Sequence, residues 1–269
     1  MPERIAGNFP PIQCGPPWFD SRDRNPTARV ILFCLPFSGG GARVFGKWRQ
    51  LFPDDIEVTP VHLPGREERA GQPADLSPGS VAVALAERID RPFALYGHSM
   101  GARLGFEVLR SLRDLGVRPP IRFYPAASLP PDVPDPYPEF ADLPDGLLVD
   151  SLIDRFGAPE ELRESPGLRS EFLPVLREDL RWCRRHRYLA GPPLDTTIVA
   201  LAGRSDAEAT PAAMRGWCMQ GTSGEVLTLP GGHFFLLSAT RQLAALLAHD
   251  LVGANRPAGG QPVPVHEPS

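Results

Sequence analysis

Three residues, Ser99, Asp206 and His233, stand in settings that suit them to one reaction. A serine hydroxyl is a poor nucleophile until a base takes its proton, and an imidazole base needs an acid to fix its tautomer. Ser99 is the centre of Gly97-His98-Ser99-Met100-Gly101, a G-x-S-x-G pattern. It follows the apolar run Pro92–Tyr96 and precedes a helical pattern with Leu104, Val108, Leu112 and Leu115 on one face. That context reads as strand, sharp turn and helix, holding the hydroxyl above a sheet edge beside a helix N-terminus. An ordinary glycine-rich turn would read the same over five residues, so the partners decide. His233, in Pro230-Gly231-Gly232-His233-Phe234-Phe235, follows the last strand pattern and is the candidate base. His98 is adjacent to Ser99 and points away from it, so it is expected to pack beside the turn. Asp206 follows the strand pattern Thr197–Leu201, with Gly203 turning the loop, and is the candidate acid. Asp195 lies at the wrong end of that strand, and Glu208 is the fallback. The order serine, acid, histidine is that of α/β-hydrolase triads.

A tetrahedral oxyanion needs aimed N–H donors. One is expected from the backbone of Met100, the residue after the nucleophile. The second is expected from Phe37 or Ser38, in Leu35-Pro36-Phe37-Ser38-Gly39-Gly40-Gly41 after the first strand pattern. The same glycines could cradle a phosphate, but the run lacks both nucleotide-binding glycine signatures.

The elements that position these residues alternate. Strand patterns occur at 30–35, 57–61, 93–96, 121–124, 197–201 and 226–229, and helical patterns at 42–52, 77–89, 101–115, 210–218 and 238–252. Alternation of this kind predicts a mostly parallel central sheet flanked by helices, an α/β fold of the α/β-hydrolase kind. Residues 129–192 break the pattern with five prolines between 130 and 138 and then helical stretches, which predicts a helical lid inserted into the core. The expected organisation is an N-terminal arm at 1–28, a core at 29–128 and 193–253, the lid at 129–192, and a flexible tail at 254–269.

Composition bounds the partners. The formal net charge is −4 over 269 residues, without a basic tract, so neither nucleic acid nor an anionic membrane is expected as a partner. Cys14, Cys34, Cys183 and Cys218 form no CxxC pair and no metal-spaced cluster, so neither disulfide nor metal is expected. The absence of a basic leader with an apolar run, and of any apolar stretch of membrane-spanning length, predicts a cytoplasmic protein.

An ordered set of motifs carries a resemblance. Leu35-Pro36-Phe37-Ser38-Gly39-Gly40, Phe45 and Trp48, Leu63-Pro64-Gly65-Arg66-Glu67, the elbow with Ala102, Leu176-Arg177-Glu178-Asp179 ahead of Tyr188, Gly203 with Asp206, Trp217, and Gly231–Phe235 span residues 29 to 250. Together they resemble the type II, or editing, thioesterases of polyketide and nonribosomal peptide biosynthesis. Ser38 stands where that family often has alanine, and Pro125-Ala126-Ala127-Ser128 departs from its small-residue pattern. The resemblance implies a Ser99–Asp206–His233 triad, an oxyanion hole from the backbone of Met100 and the Phe37-Ser38 segment, and a mobile lid. It implies hydrolysis of acyl groups, aberrant or stalled, from the phosphopantetheine thiol of a transiently bound acyl or peptidyl carrier protein. No cofactor is expected, and the chain is expected to act as a monomer. Arg181, Arg184 and Arg185 could then meet an acidic carrier. The same triad suits a carboxylesterase or lipase acting on oxygen esters, or an acyl transferase, and a silent carrier-binding module is the non-enzymatic alternative.

Overall fold

The computed structural model describes residues 17–134 and 136–255. Part of the expected arm, residues 1–16, and of the expected tail, residues 256–269, lie outside the described residues.

Six strands form one parallel sheet: β1 (Val30–Leu35), β2 (Ile56–Pro60), β3 (Phe93–His98), β4 (Arg122–Ala126), β5 (Leu194–Gly203) and β6 (Gly221–Leu229), in the spatial order β2-β1-β3-β4-β5-β6. β1 and β3 are buried at every residue, because helices cover both sheet faces. Alternation sorts their side chains: Ile31, Phe33, Leu35 and Leu95 join one core cluster, Val30, Leu32, Cys34 and Tyr96 the other. The first face is covered by α1 (Pro78–Arg88) and α2 (Met100–Asp114), the second by α7 (Thr240–Ala254), which follows the one-turn α6 (Phe235–Ser238). Ser77 caps α1 by accepting from the Ser80 N–H, ahead of Pro78 at the first helical position. Strand order reverses between β1 and β3. The loops leaving their carboxyl ends diverge there, and that switch point is where an open α/β sheet leaves a crevice.

Between β4 and β5 the chain leaves the sheet and builds α3 (Asp145–Phe156), α4 (Glu161–Glu164) and α5 (Pro166–Arg185). These helices have an apolar cluster of their own, including Phe140, Leu148, Leu152, Leu173 and Leu176.

Several elements differ from expectation. Residues 42–52 form two 3₁₀ turns, Ala42–Phe45 and Trp48–Gln50, because Gly46 interrupts the pattern while Phe45 and Trp48 both turn inward onto Tyr96. Residues 213–220 are likewise 3₁₀, with Gly216 against the Pro130 ring. β6 starts five residues before its apolar run: it is an edge strand, so its first half is polar and exposed. The expected arm is packed from Trp18 onward. The Arg69 guanidinium lies 3.7 Å over the Trp18 ring, His62 N–H donates to the Trp18 carbonyl, and Phe19 meets Phe33.

Candidate active site

Ser99 sits between β3 and α2 at φ +55° and ψ −117°, a backbone conformation that costs about 1–3 kcal/mol and is held only where the surroundings enforce it. The enforcement is steric closeness. A Cβ on Gly97 would lie 2.2 Å from the Gly101 carbonyl oxygen, and one on Gly101 would lie 2.5 Å from that of Pro36. The elbow therefore closes on itself and on the loop after β1 at the two positions where only glycine fits.

The loops after β5 and β6 bring the other two groups. His233 Nε2 lies 3.1 Å from Ser99 Oγ, and His233 Nδ1 lies 3.1 Å from Asp206 Oδ2. Asp206 is 5 % exposed, and its second oxygen accepts from the backbone N–H of Glu208 and Ala209. Burial alone would raise the Asp206 carboxyl. The hydrogen bond and charge of His233, with the two backbone donors, outweigh it and hold the group below the ordinary aspartate value. Glu208, the fallback acid, turns to Arg155 of α3. Met100 and the Phe37-Ser38 segment line the same cavity as Ser99 and His233.

That cavity lies between core and lid and is open to solvent. Its walls are largely apolar: Phe37 and Phe234 from the core, Phe156, Phe172 and Leu180 from the lid. The Phe156 ring stands edge-on to His233 at 5.1 Å, so the inserted helices cover His233 directly.

A match to the thioesterase domain family covers residues 30–251. The chain belongs to that family. The gramicidin S biosynthesis protein GrsT of Aneurinibacillus migulanus is 32% identical over 240 residues, 87% of this chain and 93% of that protein. The human medium-chain S-acyl fatty acid synthase thioesterase is 30% identical over 83% of this chain and 87% of its own. Among solved structures, RedJ, a thioesterase from the prodiginine pathway of Streptomyces coelicolor, matches with TM-score 0.78 and 32% identity, covering 84% of this chain and 92% of its own. The type II thioesterase BorB from the borrelidin biosynthetic cluster matches with TM-score 0.77 and 29% identity over 89% and 98%.

This thioesterase has the α/β-hydrolase fold, and its activity is thioester hydrolysis. Several of its motif residues prove to be braces. Trp217, fully buried, donates from Nε1 to the Ser128 carbonyl, where the chain leaves β4 for the lid. Arg66 and Asp179, far apart in sequence, form a buried two-pronged ion pair with both contacts at 2.7 Å. Asp179 Oδ2 also accepts from the Gly39 N–H at 2.7 Å. Only the shared-motif resemblance pointed to these two; the available signal was an acid on the helix face that carries Leu173, Leu176 and Leu180.

His98 does more than pack beside the turn. It is fully buried, with Nδ1 2.9 Å from Tyr96 Oη and Nε2 2.8 Å from the His233 carbonyl oxygen. Burial first, and the neighbouring His233 second, lower its pKa to about 3, so the ring is neutral. Its Nε2–H therefore donates to the loop carrying His233, and Tyr96 donates to Nδ1. Of the three lid arginines, Arg181 pairs with Glu178 and Arg184 with Asp142, both within the lid, while Arg185 is exposed. Among the described residues His62, Glu67 and Glu68 are the one group whose donor atoms gather as for a metal, and none of them lines the cavity. Among the same residues no helix is long and apolar enough to cross a membrane.

Proposed function

We propose that the chain hydrolyses acyl groups from the phosphopantetheine thiol of carrier proteins in a polyketide or nonribosomal peptide pathway, through an acyl-Ser99 intermediate. One observation carries this reading: the unbroken hydrogen-bonded line Ser99–His233–Asp206 opens into an apolar chamber roofed by an inserted lid. The named pathways of GrsT, RedJ and BorB support the setting.

His233 takes the Ser99 proton as Oγ attacks the thioester carbonyl. The oxyanion is met by the N–H of Met100, at the N-terminus of α2, and by that of Phe37 or Ser38, each contributing about 3 kcal/mol. The thiol departs with the proton from His233. A water molecule, deprotonated by the same base, then releases the acid. A thiol leaves readily, so the base is needed chiefly to activate serine and then water. No cofactor or metal enters the scheme. A carrier protein is the transient partner, and the enzyme acts as a cytoplasmic monomer.

A panel of acyl-carrier thioesters tests the reading, with Ser99→Ala as the blank and matched oxygen esters alongside. The expected result is hydrolysis of thioesters, trapping of an acyl group on Ser99 by mass, and loss of both in the variant. Wild-type rates in Ser99→Ala would overturn the triad. Preference for the oxygen ester would make the enzyme a carboxylesterase, and inertness toward every thioester would leave a carrier-binding module.

A further inference from the structure

The buried pair between lid and core sits where the proposed chemistry needs a fixed backbone. Asp179 belongs to α5 of the lid and is fully buried; Arg66 belongs to the core loop after β2 and is 5 % exposed. The carboxylate accepts from Arg66 with both oxygens, and one oxygen also accepts from the Gly39 N–H. Arg66 in turn donates to the Gly40 carbonyl at 2.9 Å. The two residues next to Phe37-Ser38 are thus tied, one through its N–H and one through its C=O, to an ion pair whose acid rides on the lid. A second contact lies beside the first. Gly39 has φ +80°, and a Cβ there would fall 2.3 Å from the Phe172 ring, also of α5. The lid helix therefore rests on the bare backbone of this loop. Lower in the loop, Glu67 accepts from the N–H groups of Ala42 and Arg43, so the far end is anchored to the core independently of the lid.

An apolar contact would seat the lid as well as this pair does, since replacing a buried ion pair by apolar residues of similar volume is often neutral or stabilising. What the ion pair adds is direction: an acceptor aimed at one backbone N–H. We propose that Asp179 is a positioning residue that couples the lid to the oxyanion loop, so that the Phe37-Ser38 amides are aimed at Ser99 only while α5 is seated. The lid thereby completes the oxyanion hole as well as covering the chamber. Its opening for substrate or product then disarms the site. This rests on Ser99 being the nucleophile of a thioesterase.

The test pairs a folded variant with a measurement on the unaltered protein. Asp179→Asn strands Arg66 in the interior and is expected to unfold readily, so the informative variant is Arg66→Met/Asp179→Leu, which keeps volume without charge. Its thermal midpoint is expected to stay near wild type. Its kcat on an acyl-pantetheine is expected to fall at least tenfold with KM changed less than threefold, because the loss falls on the transition state. An alkyl boronic acid, which forms a tetrahedral adduct on Ser99, is expected to lose affinity by the same factor as kcat. In the unaltered protein, the Gly39 amide is expected to exchange hydrogen in step with α5. Wild-type kcat and boronate affinity in the folded double variant would overturn the coupling, as would a Gly39 amide that exchanges freely while α5 is protected. The exchange measurement reads the coupling even if wild type proves inert toward thioesters, an outcome that would sink the functional reading instead.

Discussion

At the scale of single residues, the proposed triad is braced by a second histidine, His98, held between Tyr96 and the His233 carbonyl. His98 is neutral and buried, and its folded pKa of about 3 lies below the ordinary 6.5. The folded state therefore binds fewer protons than the unfolded one between these values, and stability that is full above pH 6.5 is lost as pH falls toward 3. At pH 5 the loss from this one group is about 2 kcal/mol, at about 1.4 kcal/mol per unit. Glutamine can imitate both contacts, donating to the His233 carbonyl and accepting from Tyr96, and it does not titrate. His98→Gln should therefore fold, and its urea midpoint should drop less than wild type's between pH 7 and pH 5. Equal drops would assign the acid sensitivity elsewhere. Asp206 works in the same direction, since its lowered pKa makes its ionised, hydrogen-bonded form part of native stability that acid removes. That Ser99, Asp206 and His233 come together was legible in sequence because each occupies a loop with a telling grammar of glycines after a strand. The brace from His98 was not, because its partner is a carbonyl 135 residues away.

At the scale of elements, the strands betrayed themselves by apolar runs wherever they were covered on both faces, and the edge strand β6 concealed its first half because half of it meets water. The 3₁₀ turns at 42–50 escaped for a related reason: Phe45 and Trp48 have helical spacing but are turned by Gly46 into one aromatic cluster. The lid was visible as a gap in the alternation, but the ties holding it were not, since they join side chains from distant elements. One tie is Arg155 of α3, which reaches Glu208 at 2.8 Å and covers the Tyr137 ring at 4.3 Å. Arg155 is half exposed, so solvent screens the ion pair and the tie is a weak one. Arg155→Ala should leave global stability almost unchanged, because the sheet does not depend on it. Opening of the lid should become easier, with a few-fold rise in the open population. Limited proteolysis within residues 137–165 should accelerate by about that factor under conditions where core cleavage does not change. An unaltered cutting rate would mean that the Arg66–Asp179 pair and the apolar seam hold the lid without help from α3.

At the scale of the whole molecule, two bodies with separate apolar clusters meet over one crevice, and the proposed reaction draws on both. In the proposed reaction the core brings Ser99, His233 and Asp206 from the carboxyl ends of β3, β6 and β5, with the Phe37-Ser38 loop after β1. The lid supplies much of the apolar wall and covers His233 with Phe156. In this proposal chemistry and selectivity are encoded in different segments that differ in legibility: a triad depends on residue type and order, whereas a wall depends on how three helices settle. Leu180 separates the two. It lies on α5, lines the chamber and packs against the lid's own cluster, with no hydrogen bond to lose. Tryptophan there enlarges the wall and replaces none of Ser99, Asp206 and His233. If the acyl chain extends under the lid, acetyl- and propionyl-pantetheine should keep kcat/KM within about threefold in Leu180→Trp, while octanoyl and longer thioesters should lose tenfold or more, about 1.4 kcal/mol of transition-state binding. A uniform loss across chain lengths would indicate a disturbed lid, and an unchanged length profile would put the acyl chain outside this chamber.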